Sequence, residues 1–200
     1  MGGIPVNQME KNKQTQKYEV LRELGDCYTF TGDCSEAQRC YEKAASLWPD
    51  EPGPYVGLGV VAIQKGSLPD AEAAFRAACR LDPRCAKAYA GLAMVAQQQR
   101  DFPRALDLYV ESLNLDDNDV TALLGLFQVS CEMNAFEESI RHLEAHLQVH
   151  PAEIPVMYAL AVSYLKAGRS EQCKTTLLNL LALDPDNVEA ANLLNAGKDS

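Results

Sequence analysis

The sequence has little with which to do chemistry, hold a polyanion or cross a membrane. Its 18 Lys and Arg are outnumbered by 28 Asp and Glu, for a formal net charge of −10. No basic stripe is left to neutralise phosphates, which argues against nucleic acid as a partner. No apolar run approaches the roughly 20 residues that a membrane-spanning helix needs, so direct membrane insertion is not expected. The first residues are polar and lack the apolar centre of a secretory signal. Met1 and Gly2 do not complete a myristoylation pattern, because Val6 stands where Ser or Thr belongs. There is no nucleophile motif, phosphate loop or convergent acid pair. The chain reads as a non-enzyme with no cofactor.

What is present is a period. The stretch from Tyr55 to Pro83 places apolar or small residues every three or four positions, turns at Gly66, and resumes the same spacing. That is the pattern of two amphipathic helices folded back on each other. It recurs every 34 residues without insertion or deletion, in repeats starting at Tyr18, Pro52, Ala86, Val120 and Ile154. Position 4 holds Leu21, Tyr55, Tyr89, Leu123 and Met157; position 7 holds Leu24, Leu58, Leu92, Leu126 and Leu160. With positions 8 and 11 they form the packing stripe of the first helix. Position 8 is small in four repeats (Gly25, Gly59, Ala93, Ala161), which lets two helix backbones approach, but is Phe127 in the fourth. There the bulk should push the helices apart or force repacking. Position 15 (Gly32, Gly66, Arg100, Asn134, Gly168) ends the first helix, where a left-handed residue fits best. Position 32 is Pro49, Pro83, Pro151 and Pro185, with Asp117 in the third repeat; proline there stops the second helix. One helix pair cannot bury its apolar face alone, whereas stacked neighbours can.

These columns resemble the tetratricopeptide repeat family. The resemblance implies an all-α, right-handed superhelical solenoid of antiparallel helix pairs, with repeats over 18–51, 52–85, 86–119, 120–153 and 154–187. Residues 1–17 read as a polar, disordered lead-in or, from about Gln8 onward, as an added turn of the first helix, and 188–200 as a short capping helix and tail. The resemblance also implies protein binding in a concave groove lined by positions 2, 5, 9 and 12 of each first helix.

That face carries Glu19, Arg22 and Asp26 in the first repeat, in a segment with three basic and eight acidic residues. The second contributes Val56, Val60 and Ile63, the third Lys87, Ala90 and Met94. The fourth offers Leu124 and Gln128, and the fifth Tyr158, Val162 and Leu165. The expected groove is acidic at its N-terminal mouth and apolar beyond. A solvated helix normally has a polar back, yet the first helix of repeat 2 is apolar nearly all round. The family's carboxylate clamp needs Lys, Arg and Asn on this face; only Arg22 and Lys87 are basic, so a clamp is not expected. An apolar segment of a partner protein, helical or extended and with a basic flank, fits better. The chain then serves as an adaptor or chaperone. The alternative is a self-assembling scaffold that forms homo-oligomers through groove or end contacts.

Seven cysteines, an odd number without a CxxC, give no four-ligand spacing. They read as reduced thiols of a cytoplasmic protein, several in small-residue columns. His142, His146 and His150 lie four residues apart on one helix face, a spacing that can hold a metal. His146 falls in the packing column of Ala44 and Ala78, however, and His150 stands beside Pro151 at a helix end. No metal site is assigned.

Overall fold

The computed structural model of the chain describes residues 6–196. Among them it has eleven helices and no strand: α1 (Val6–Thr31), α2 (Cys34–Leu47), α3 (Pro52–Gln64), α4 (Leu68–Leu81), α5 (Ala86–Gln98), α6 (Phe102–Leu115), α7 (Val120–Met133), α8 (Glu137–Val149), α9 (Ile154–Lys166), α10 (Ser170–Leu183) and α11 (Val188–Ala196). Helices α3, α5, α7, α9 and α11 each begin 34 residues after the last. The chain divides into two compact units, Met1–Val95 and Ala96–Ser200, with the boundary inside α5.

The turn inside each repeat is built the same way five times. Gly32, Gly66, Arg100, Asn134 and Gly168 are the described residues with left-handed φ, between 51° and 79°. The residue after each donates its N–H back five positions, as in Asp33 to Tyr28 (2.9 Å), Ser67 to Ala62 (2.9 Å) and Arg169 to Tyr164 (2.8 Å). This bond satisfies a carbonyl that the helix end leaves open. Arg100 adopts the same angles with a side chain on Cβ, because the turn demands them. The next helix is capped where chemistry allows: Asp33 and Asp101 accept the N–H groups of Glu36 and Arg104.

An aromatic ring explains the small columns. In the first unit Tyr41 of α2, 2% exposed, lies between Gly25 of α1 and Gly57 of α3. A Cβ on either glycine would stand 2.6 or 2.4 Å from its ring atoms. Phe75 of α4 is held in the same way by Gly59 of α3 and Gly91 of α5, at 2.6 and 2.3 Å. In the second unit the ring of Tyr109 on α6 lies 2.3 Å from where a Cβ on Gly125 of α7 would sit. The smallness expected for backbone approach therefore makes room for a ring. A second column, position 6 with Gly57, Gly91 and Gly125, shares that task. Where position 8 is Phe127, the ring column holds Leu143, fully buried, and position 6 of the next repeat is Ala159. The bulk has changed sides, and α7 and α8 approach each other less closely than α9 and α10 do.

The lead-in, expected to be disordered or to add a turn to the first helix from about Gln8, is helical from Val6 onward, so the helix is longer than expected; residues 1–5 lie outside the described residues. From Val6 to Lys17 there is no Gly or Pro, and Gln, Glu, Lys and Met are good helix formers. A helix already nucleated by the packed turns downstream extends through them at little cost. At the other end α11 occupies Val188–Ala196, and residues 197–200 lie outside the described residues.

Candidate functional site

In the first unit the free faces of α1, α3 and α5 converge on an open cavity of about 560 Å³. The α1 wall is polar, with Arg22 and Asp26 paired at 3.8 Å and Thr29 beside them. The α3 wall is apolar, with Val56, Gly57 and Val60, and Lys87 closes the α5 side. The floor includes the edge of Tyr41. Its hydroxyl donates to Asp26 Oδ1 at 2.7 Å and lies 3.2 Å from Thr29 Oγ1. Burial, with the Asp26 carboxylate adding to it, holds that hydroxyl protonated well above the ordinary tyrosine value. The ring that fills the repeat core thus also fixes a carboxylate of the cavity wall. Gln64 Nε2 donates to the Thr29 carbonyl at 3.2 Å and ties α3 to the end of α1. Cys85 also lines the cavity; burial pushes its thiol pKa up, so it is a poor nucleophile.

Five of the residues picked from sequence therefore meet here: Arg22, Asp26, Val56, Val60 and Lys87. Glu19 is exposed on α1 away from the lining, and Ile63 and Met94 are half-buried outside it. Ala90 is buried and packs rather than faces a ligand. Phe30, missed by the stripe, is 92% exposed on the cavity rim. Position 13 flanks the face, and scoring the flank for exposed aromatics would have found it.

In the second unit Leu124 on α7 and Tyr158, Val162 and Leu165 on α9 are half-buried, and Gln128 is exposed. Gln128 Oε1 accepts from Gln97 Nε2 at 3.1 Å, and Gln97 Oε1 accepts from the Tyr109 hydroxyl at 2.8 Å. A ring hydroxyl again reaches the first-helix face, this time through amides.

Family models described as tetratricopeptide repeat match residues 22–84, 69–120 and 132–196. The chain belongs to the tetratricopeptide repeat family. Its fold is the all-α helix-pair solenoid of that family, and solved structures agree. PilF of Pseudomonas aeruginosa superposes with a TM-score of 0.73 at 17% identity over 89% of this chain and 81% of its own. YrrB does so with 0.64 at 19% identity, over 94% and 95%. Yeast Tom70 gives 0.73 at 19% identity over 99% of this chain, which spans 44% of Tom70. At these identities the likeness is one of fold. A comparison with curated proteins finds no match.

The histidine row of this tetratricopeptide repeat protein lies on α8 and its C-terminal end, in the second unit. Among the described residues no three His, Cys, Asp or Glu side chains converge as a metal site. His142 is buried, with Arg141 Nη2 donating to its Nε2 at 3.0 Å. Burial first, and then the Arg141 charge, hold its pKa below the ordinary histidine value. The unfolded chain therefore binds this proton more readily than the fold does. Stability from His142 is complete above about pH 6.5 and is lost as pH falls from there toward the lowered folded value. Urea midpoints at pH 7 and pH 5.5 should thus differ more in the wild type than in His142→Gln. Equal differences would remove His142 from the account. Among the described residues no helix is long and apolar enough to cross a membrane.

Proposed function

We propose that this protein is a non-catalytic interaction module that holds an apolar segment of a partner protein, flanked by basic residues, in the cavity of its first unit. The observation that carries this reading is the pairing of an apolar α3 wall, Val56 to Val60, with the Asp26 carboxylate and the exposed Phe30 ring. An exposed aromatic beside an apolar wall is the usual anchor of a protein interface. Membership of a protein-interaction family supports the partner class, and YrrB is described as a TPR protein with an unusual peptide-binding site. The half-buried Leu124, Tyr158, Val162 and Leu165, with Gln128, give the second unit a further contact surface in the same proposal. The role is that of an adaptor or chaperone, without cofactor, metal or nucleic acid. The seven free thiols fit a cytoplasmic setting.

Three apolar anchors at about 1.5–3 kcal/mol each, less about 2–5 kcal/mol to order a flexible segment, leave micromolar affinity or weaker for a short peptide. A panel of labelled peptides with an apolar centre and Lys or Arg flanks, read by fluorescence anisotropy, tests the idea. Val60→Glu and Phe30→Ala should each weaken the best binder at least about tenfold, with unchanged circular dichroism. Added salt should slow association mainly of the basic-flanked peptides. Equal binding by wild type and Val60→Glu would end the reading.

A further inference from the structure

The three helices around the first-unit cavity differ in charge. Along the cavity, α1 carries Glu19, Arg22, Glu23 and Asp26, three carboxylates to one cation; its lysines lie more than a turn upstream of the lining. Helix α3 has no charged residue, and Lys87 is the only one in α5. In the turn before α5, Arg84 adds a second cation, and Asp82 Oδ1 accepts the Arg84 N–H at 2.9 Å. The cavity therefore runs from an acidic wall, over the neutral stretch from Val56 to Val60, to a basic wall. On the acidic side the Tyr41 hydroxyl fixes Asp26 Oδ1 at 2.7 Å, while Arg22 comes no nearer to Oδ2 than 3.8 Å. On the basic side the exposed Lys87 ammonium makes no hydrogen bond or ion pair among the described residues.

We propose that this cavity selects the direction of the segment it holds, with a basic side chain toward α1, an acidic side chain toward α5, and the apolar anchors between them. The inference deepens the reading given above and rests on it. In that orientation the basic end meets Asp26 and the acidic end meets Lys87; turned round, each end meets like charge. Lys87 is thus the specificity-determining residue. Without it the cavity keeps an apolar wall and a carboxylate, but nothing in α5 distinguishes one end of the segment from the other. The spacing follows from helix packing. The α1 and α5 walls stand on either side of α3, two helix spacings of about 8–10 Å each. An extended segment rises about 3.3 Å per residue, so about five or six residues separate its basic and acidic side chains.

Fluorescence anisotropy on the full chain with two sets of labelled peptides tests the proposal. One set places a Lys and a Glu about five or six residues apart around an apolar pair, in both sequence orders. The other set replaces that Glu with Lys. All ends are acetylated or amidated, so that no terminal charge stands in for a side chain. Wild type should favour the Lys–Glu set, and Lys87→Glu, in a chain of normal helicity, should favour the Lys–Lys set. The ratio of the two affinities should change at least about fivefold between the two proteins, because an attraction is exchanged for a repulsion. Comparing ratios cancels the pull that a net charge of −10 exerts on the more cationic peptide. High salt should flatten both preferences. A ratio that Lys87→Glu leaves unchanged would overturn the inference, while loss of binding in Val60→Glu would still uphold the reading of the cavity. Binding untouched by Val60→Glu, or no binding by any peptide, would overturn both.

Discussion

Replacing Gly91 with alanine should destabilise the first unit by about 1–3 kcal/mol, although the same change in most helix interiors stabilises by about 0.5–1 kcal/mol. The sign reverses because of Phe75. A Cβ on Gly91 would stand 2.3 Å from the ring edge, and the ring has nowhere to go: it is 0% exposed, with Gly59 against its opposite side. The chain itself suggests the rescue. In repeat 4 the bulk at position 8 is Phe127, and the ring column has shrunk to Leu143. Phe75→Leu alone should destabilise by opening a cavity. Combined with Gly91→Ala it should cost less than the sum, with a coupling of at least about 1 kcal/mol. Urea unfolding followed through Trp48, the sole tryptophan and a residue of the first unit, measures all three variants. Additive costs would mean that the ring yields after all and that glycine stands at 91 for another reason.

The positions legible in the sequence are those where one residue must satisfy the backbone. Position 15 takes left-handed angles in all five repeats, and repeat phase alone placed even Arg100 there. Helix starts follow from the same phase. What a small residue makes room for was not legible, because periodicity reports which side of a helix faces inward and not what meets it. Gly25 and Gly57 look alike whether a backbone or the Tyr41 ring lies opposite. Leu24 shows the limit from the other side: its column says core, yet it is 42% exposed, because burial needs a neighbouring helix. The cavity was legible in its lining at Arg22, Asp26, Val56, Val60 and Lys87, since a stripe with period 3.6 identifies a face. Its rim at Phe30 was not, because one aromatic beside the stripe carries no periodic signal.

Removing the His146 ring should cost the second unit about 2–4 kcal/mol, the sum of a cavity and lost hydrogen bonds. The side chain is 3% exposed, with Nδ1 3.2 Å from the Asp117 carbonyl oxygen and Nε2 2.9 Å from Glu153 Oε2. It therefore joins the turn that precedes α7 to the turn that precedes α9. The first of those turns needs it: Asp117 stands where the other four repeats have proline, so its backbone is not stiffened from within. His150, at the end of α8 with its ring tilted against that of His146 and the centroids 4.7 Å apart, adds a bond to Asn118 Oδ1 at 2.9 Å. His146→Ala leaves the Asp117 carbonyl and the Glu153 carboxylate without the ring between them. Glu153→Gln should cost less than about 1 kcal/mol, because a glutamine amide can donate to Nε2 while Nδ1–H keeps the carbonyl. Guanidinium unfolding gives the totals, and amide hydrogen exchange gives the location. His146→Ala should speed exchange at the N-terminal turns of both α7 and α9, whereas a ring that only fills space would loosen α8 alone. If Glu153→Gln proves as costly as His146→Ala, the negative charge at 153, and not the ring's position between two acceptors, is what holds the turns together.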